Sequence, residues 1–193
     1  LLAAEMEREA VFSGKSPPKV LGGNTSWSVL LLQALRLDIQ GWHEQAAQVR
    51  AQAFAEAPAT SGSMDGRGRE FDWLSDADPR FGPCLEMVVD GGYAWVPCTS
   101  LWSMELEAPS SFCDTLWLPA RVTWKDGTKA TAHLFARYPG SENSSDSALR
   151  LGRRTDWIEY GSGTWVGVGQ RMLATDGGEW ALLDVRNIEF NEG

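Results

Sequence analysis

Asp76 and Asp78, two apart in the string Ser75-Asp76-Ala77-Asp78-Pro79-Arg80, are the first residues whose types and spacing could do chemistry. Side chains two apart on an extended segment share a face, so both carboxylates would point the same way, as a divalent-cation site requires. Glu86, in the apolar run Leu85–Val89, extends the idea to a carboxylate or metal-site enzyme around Asp76, Asp78 and Glu86. Against it, no third or fourth ligand is evident beside the two aspartates. Asp-x-Asp-Pro is also turn chemistry, because an Asp side chain caps backbone N–H groups two residues on. Arg80 lies close enough to pair with either aspartate and fix such a turn. An ion-paired turn is the stronger reading. Glu86 is either outward-facing or paired with an arginine such as Arg80 or Arg171, and both remain open here.

Other catalytic constellations are weaker. His43 and His133 fall on an expected helix and an expected strand, and neither has a Ser or Cys partner motif. Gly161-Ser162-Gly163 and Gly167-Val168-Gly169 lack the lysine and following helix of a phosphate loop, so both read as turns between strands. Arg150, Arg153 and Arg154 read as solvated or salt-bridged loop residues. Cys84, Cys98 and Cys113 are an odd count without CxxC spacing, neither a disulfide framework nor a zinc signature. Each reads as a small buried hydrophobe in a reducing, cytoplasmic compartment. The expectation is no catalytic residues, no metal and no cofactor.

The elements that would position these residues divide the chain by hydrophobic period. Residues 1–58 are expected to be helical, 59–70 a linker or surface loop, and 71–193 a mainly antiparallel β domain. In the first helix Leu2, Met6, Ala10 and Phe12 suggest the apolar side. The chain opens inside this helical pattern, which reads as a fragment with helices upstream. Trp27, Leu30, Leu31, Ala34 and Leu35 form one stripe behind a cap at Asn24, Thr25 or Ser26. After Gly41 a third helix carries Trp42, Ala46, Val49, Ala53 and Phe54 and ends at Pro58. The pair is expected to be a truncated, tetratricopeptide-like hairpin. Strands are expected at Leu85–Val89 and Tyr93–Val96, at Leu101–Glu107 with Trp102, Met104 and Leu106 on one face, and on both sides of Lys125-Asp126-Gly127-Thr128. Two further strands flank Asp176-Gly177-Gly178, and a last one spans Val185–Phe190. The class is α+β, with a mostly antiparallel sheet or small barrel following the helices.

A net charge of −9 and no Lys/Arg stripe argue against nucleic acid and against an anionic membrane surface. No run approaches the ~20 apolar residues of a spanning helix. Ten tryptophans suggest a Trp-pinned core, with some free to form a partner groove. Trp27, Leu31, Trp42 and Phe54 are the candidates for partner contact.

Phe71, Trp73, Asp76, Asp78, Arg80, Gly82, Pro83, Glu86, Gly92, Tyr93, Trp95 and Pro97 stand in an order that resembles the ImpE/TagJ family of type VI secretion accessory proteins. Downstream, Arg137-Tyr138-Pro139-Gly140-Ser141, Leu151 to Trp157 (with Arg154) and Gly169-Gln170-Arg171 are similar to further stretches of that family. One departure is Ser110 to Asp114, which lacks the arginine often found before that aspartate and leaves the local ion pairing open. The resemblance implies a non-enzymatic accessory or adaptor protein that binds a contractile-sheath subunit and assists the sheath-recycling AAA+ ATPase. It implies no catalytic residues. A purely structural scaffold is the remaining alternative.

Overall fold

A computed structural model describes residues 1–66 and 69–191. Its first helices are α1 (Leu2–Phe12), α2 (Ser26–Ile39) and α3 (His43–Glu56). Thr25 caps α2 in a reciprocal box with Ser28, so two orphan N–H groups are satisfied at once. Gly41, at φ +82°, makes the tight turn that folds α3 back on α2. Trp27, Leu31, Ala34 and Leu35 are buried, as the stripe implied. α1 differs from expectation. Leu2 and Met6 are exposed, and Ala4, Arg8 and Val11 face inward at i, i+4, i+7. The reason is electrostatic: the sheet presents a buried carboxylate, Glu86, which Arg8 reaches from α1.

The β half begins with β1 (Gly62–Met64), β2 (Glu70–Phe71), β3 (Leu74–Asp76), β4 (Cys84–Val89), β5 (Gly92–Pro97) and β6 (Leu101–Leu106). It continues with β7 (Trp117–Trp124), β8 (Lys129–Phe135), the short helix α4 (Ser147–Arg150), β9 (Thr155–Gly161) and β10 (Thr164–Gly169). It ends with β11 (Met172–Thr175), β12 (Gly178–Ala181) and β13 (Asn187–Phe190). Eight strands form one antiparallel sheet in the order β2-β1-β13-β6-β7-β8-β4-β5. A second sheet is β12-β11-β3, and β9 and β10 make a separate hairpin. The architecture is α+β, and the small-barrel alternative is corrected. β2 and β5 remain at opposite edges, and the β5 edge is occupied by Lys19–Leu21 through Trp95 N–H to Lys19 O (2.8 Å) and Leu21 N–H to Trp95 O (2.9 Å).

β4 is buried on both faces. Leu85, Met87 and Val89 pack into one core with Met64, Leu74 and Ile188. Cys84 and Val88 face Trp27, Leu31, Trp95 and Phe135 in the other, so helices and sheet share that core. Glu86 lies on this helix-facing side by the period of two.

Four local readings change. The stretch 59–70 contains β1, whose buried Met64 pairs with Ile188 of β13; Arg67 and Gly68 lie outside the described residues. A bulge between Leu101 and Ser103 turns Leu101 inward and leaves Trp102 exposed, against the alternation expected of β6. Gly161-Ser162-Gly163 is a hairpin turn, but Gly167 to Gly169 lie within β10 rather than in a turn. The ring of Tyr138 sits 2.2 Å from where a Cβ on Gly167 would be, so close packing and not turning requires that glycine. Cys84 and Cys98 are buried, whereas Cys113 is exposed.

Candidate functional site

Asp76 closes β3, and the chain then reverses through a turn held by carboxylates. The Asp78 N–H donates to Asp76 Oδ1 (2.8 Å) and the Arg80 N–H to Asp78 Oδ1 (2.9 Å). Arg80 folds back on Asp78 with Nε 3.0 Å from Oδ1 and Nη2 2.6 Å from Oδ2, a forked pair. The Gly167 N–H donates to the same Asp78 Oδ2 (2.8 Å), which ties β10 to the turn. Arg80 therefore pairs with Asp78, not Asp76.

Asp76 belongs to a second, linked cluster. Arg171, just before β11, bridges Asp76 Oδ2 through Nη1 and Glu86 Oε2 through Nη2, and its Nε donates to Phe135 O (2.8 Å). Arg8 reaches down from α1 and grips Glu86 with Nε to Oε1 (3.0 Å) and Nη2 to Oε2 (2.7 Å). Arg8 Nη2 also donates to Arg137 O (2.7 Å). The Tyr93 hydroxyl donates to Glu86 Oε1 and accepts from Trp95 Nε1 (2.7 Å). The Tyr138 hydroxyl donates to Asp76 Oδ1 (3.1 Å) and accepts from the Met172 N–H (3.0 Å). Aromatic faces cover the cations: Arg8 lies 4.4 Å from the Phe135 centroid, and Arg171 lies 4.6 Å from Phe81.

Three carboxylates and three guanidiniums thus meet in a buried place, and every carboxylate oxygen has a donor. Burial pushes Asp76 up to about 7, against the pull of Arg171, with the neighbouring Asp78 and Glu86 adding to the rise. Burial also opposes ionisation of Glu86, but Arg8 and Arg171 overcome it and hold that carboxyl below its ordinary range. Burial and the Glu86 charge push Tyr93 well up. Such a cluster can hold α1, β3, β4, β5, β10 and β11 in one arrangement. Asp76, Asp78 and Glu86 are each no more than 2% exposed. Among the described residues no group of three or more His, Cys, Asp or Glu is placed to hold a metal ion.

The structure gathers Asp76, Asp78, Arg80, Glu86, Tyr93, Trp95, Tyr138 and Arg171 of the sequence-selected residues, with Trp157 packed on Tyr138 at 5.9 Å. Phe71 lies apart, edge-on to Phe190 at 6.1 Å. Arg154 is at the surface beside Asp146 (3.0 Å), and Gln170 contributes only backbone, its N–H to Arg154 O (2.9 Å). Trp73 is 40% exposed and lines a cleft with Pro83. Gly82, at φ +53°, has the Phe54 ring where a Cβ would go. Trp27 and Leu31 are core residues at 3% and 1% exposure, which removes them as partner contacts; Trp42 and Phe54 remain exposed. Asp114 finds its partners in Ser110 and Ser111: the Ser110 N–H (2.8 Å), the two hydroxyls (2.9 and 2.8 Å) and the Ser111 N–H (2.9 Å) donate to it and bring it down to about 2.

Sequence reasoning missed Arg8. Its signal was an arginine at the middle of the i, i+4, i+7 face Ala4, Arg8, Val11. A second buried pair also escaped it: Asp38 of α2 with Arg50 of α3, and Arg50 Nη1 reaches Thr164 Oγ1 (3.4 Å). His43, 3.2 Å from Asp38, stacks edge-on against Tyr160 at 4.9 Å, so the helical pair is docked on the β9–β10 hairpin.

The family model described as "ImpE protein" matches residues 68–189. The chain is 45% identical over 186 residues to the "Type VI secretion system accessory component TagJ" of Pseudomonas aeruginosa, across 96% of this chain. It spans 64% of that relative's length. In fold it is similar to the crystal structure of protein VPA1032 from Vibrio parahaemolyticus, with a TM-score of 0.88 at 20% identity. That match covers 100% of this chain and 71% of the other. Among the described residues no helix is long and apolar enough to cross a membrane.

Proposed function

The chain belongs to the ImpE protein family, and on that premise we propose that it is a non-enzymatic accessory component of a type VI secretion system, acting by binding other proteins. The observation that carries this reading is the identity with TagJ over 96% of the chain. The geometry supports its non-enzymatic half. The three carboxylates that could have done acid–base or metal chemistry have donors on all their oxygens and sit out of reach of solvent. Their work is mechanical: they hold α1 and the β3–β4 turn in register.

The partners in this reading are a contractile-sheath subunit and the sheath-recycling AAA+ ATPase, with no part for nucleic acid. The α2–α3 hairpin is the docking element for an amphipathic partner helix, and its contacts are Trp42 and Phe54. The acidic balance of −9 favours a basic partner segment. Calorimetry with peptides from the N-terminus of a sheath subunit tests this. Binding by the wild type and loss of binding in Trp42→Ala are expected. Peptides that bind Trp42→Ala and Phe54→Ala as well as wild type would remove the docking assignment.

A further inference from the structure

Between the segment that follows α3 and the outer edge of β3 lies a cleft of about 410 Å³, whose walls include Phe54, Pro58, Trp73 and Pro83. β3 pairs on one side only, with β11. Leu74 faces Thr175, Ser75 faces Ala174 and Asp76 faces Leu173, while the Ala77 N–H donates to Met172 O (3.0 Å). In an antiparallel ladder hydrogen-bonded and non-hydrogen-bonded pairs alternate. Ala77 and Ser75 therefore bond to β11, and the backbone groups of Leu74 and Asp76 point outward, into the cleft. The Asp76 N–H is taken by Gly82 O (2.8 Å). The Leu74 N–H, the Leu74 C=O and the Asp76 C=O have no partner among the described residues. Across the cleft, Thr60 Oγ1 is also buried without a hydrogen bond.

We propose that this cleft takes an extended, apolar and basic segment of a partner protein, which adds as a strand to the outer edge of β3 at Leu74, beside the Asp76–Gly82 bond. A helix satisfies its own backbone and cannot serve those three groups, whereas an extended segment offers N–H and C=O at the right spacing. Alternate side chains of the added strand would sit against Phe54 and Trp73, each 40% exposed. The charge follows from the rim. Glu56 borders Ala57, Asp72 borders Trp73, and the Asp176 carboxylate accepts from the Asp72 N–H (2.8 Å); among the described residues no Lys or Arg lines the cleft. An acidic rim around an apolar slot selects basic flanks. The surface shares Phe54 with the α2–α3 docking face but not Trp42, so Trp42→Ala tests that face alone and Trp73→Ala this one; the proposal does not depend on the secretion reading.

An array of peptides about ten residues long, with Val, Ile, Leu or Phe alternating with Lys, Ser or Thr, tests the proposal against the whole protein by fluorescence polarisation. The best binder is expected to lose at least about tenfold in affinity against the Phe54→Ala/Trp73→Ala double variant. A twin N-methylated at its central residues is expected to lose as much against the wild-type protein, where variant folding plays no part. An array without a binder tighter than about 1 mM, or N-methylation without effect, overturns the proposal. So does a preference for helical peptides, or occupation of the edge by a second copy of the chain seen in sedimentation.

Discussion

Replacing Arg8 with Met should unlatch α1 from the sheet, and the size of the effect follows from the charges around Glu86. Above about pH 7, where Asp76 is ionised, Arg8, Arg171, Asp76 and Glu86 form a set with two positive and two negative members, all buried. The Arg80–Asp78 pair is neutral by itself. Arg8→Met leaves the set at −1, and Glu86 keeps only Arg171 and the Tyr93 hydroxyl. Glu86→Gln leaves it at +1, with Arg171 on Asp76 and Arg8 left to the Arg137 carbonyl and Glu5. Breaking a buried pair by removing one partner costs about 3–5 kcal/mol. The double variant returns the set to neutrality with Arg171 on Asp76. Its loss should therefore fall short of the sum of the singles by about 1–3 kcal/mol, the range for groups in direct contact. Urea unfolding followed by tryptophan fluorescence reads this well, because Trp95 donates to Tyr93 within the network. Arg121→Met is the control: Arg121 and Glu105 are both largely exposed at 3.2 Å, and its loss should cost at most about 1 kcal/mol. Additivity of the Arg8 and Glu86 variants within about 0.5 kcal/mol would refute the reasoning. An Arg8→Met cost as small as the Arg121 control would do the same.

Other outcomes are expected. Asp76 is held at about 7 in the fold against an ordinary 3.8, so its contribution is complete below 3.8 and is lost as pH rises through about 7. Between pH 5 and 8 the wild type should lose about 2–3 kcal/mol in urea titrations, at 1.36 kcal/mol per pH unit, and Asp76→Asn should be flat over that window. Glu86 runs the other way: its depressed carboxyl contributes above the ordinary 4.5, and that contribution fades as pH falls below it. Gly167→Ala drives a methyl into the Tyr138 ring and should cost about 1–3 kcal/mol in a thermal melt, while Gly177→Ala, with its nearest neighbour 3.6 Å away, should stay within about 0.5 kcal/mol. Trp27→Ala should lose about 3–5 kcal/mol in denaturant and Trp42→Ala almost nothing, since the first is core and the second solvent-exposed. Thr25→Ala removes half of the α2 capping box and should lower stability by about 1 kcal/mol by the same measurement.

What was legible in the sequence was local. The stripe of α2, the Asp126-Gly127 hairpin between β7 and β8, the Asp176-Gly177-Gly178 turn and the Asp-x-Asp-Pro turn all depend on contacts within a few positions, where spacing and side-chain chemistry suffice. The tertiary structure decided everything that joins distant segments. Arg8 and Glu86 are 78 positions apart, and Arg171 and Asp76 are 95 apart. The Ala4, Arg8, Val11 spacing is the one local sign of Arg8's burial, and the face of α1 that turns inward is chosen by the carboxylate waiting on β4. The alternatives left open for Glu86 close in the same way: it is paired with Arg171, as one of them had it, and with Arg8, which neither named. Gly167 needs no side chain only because Tyr138 arrives from another loop. The chain's local order thus determines its hairpins, caps and turns. The neutral cluster exists only when α1, β4 and the start of β11 meet, because a buried charge is stable only where its partner is brought to it.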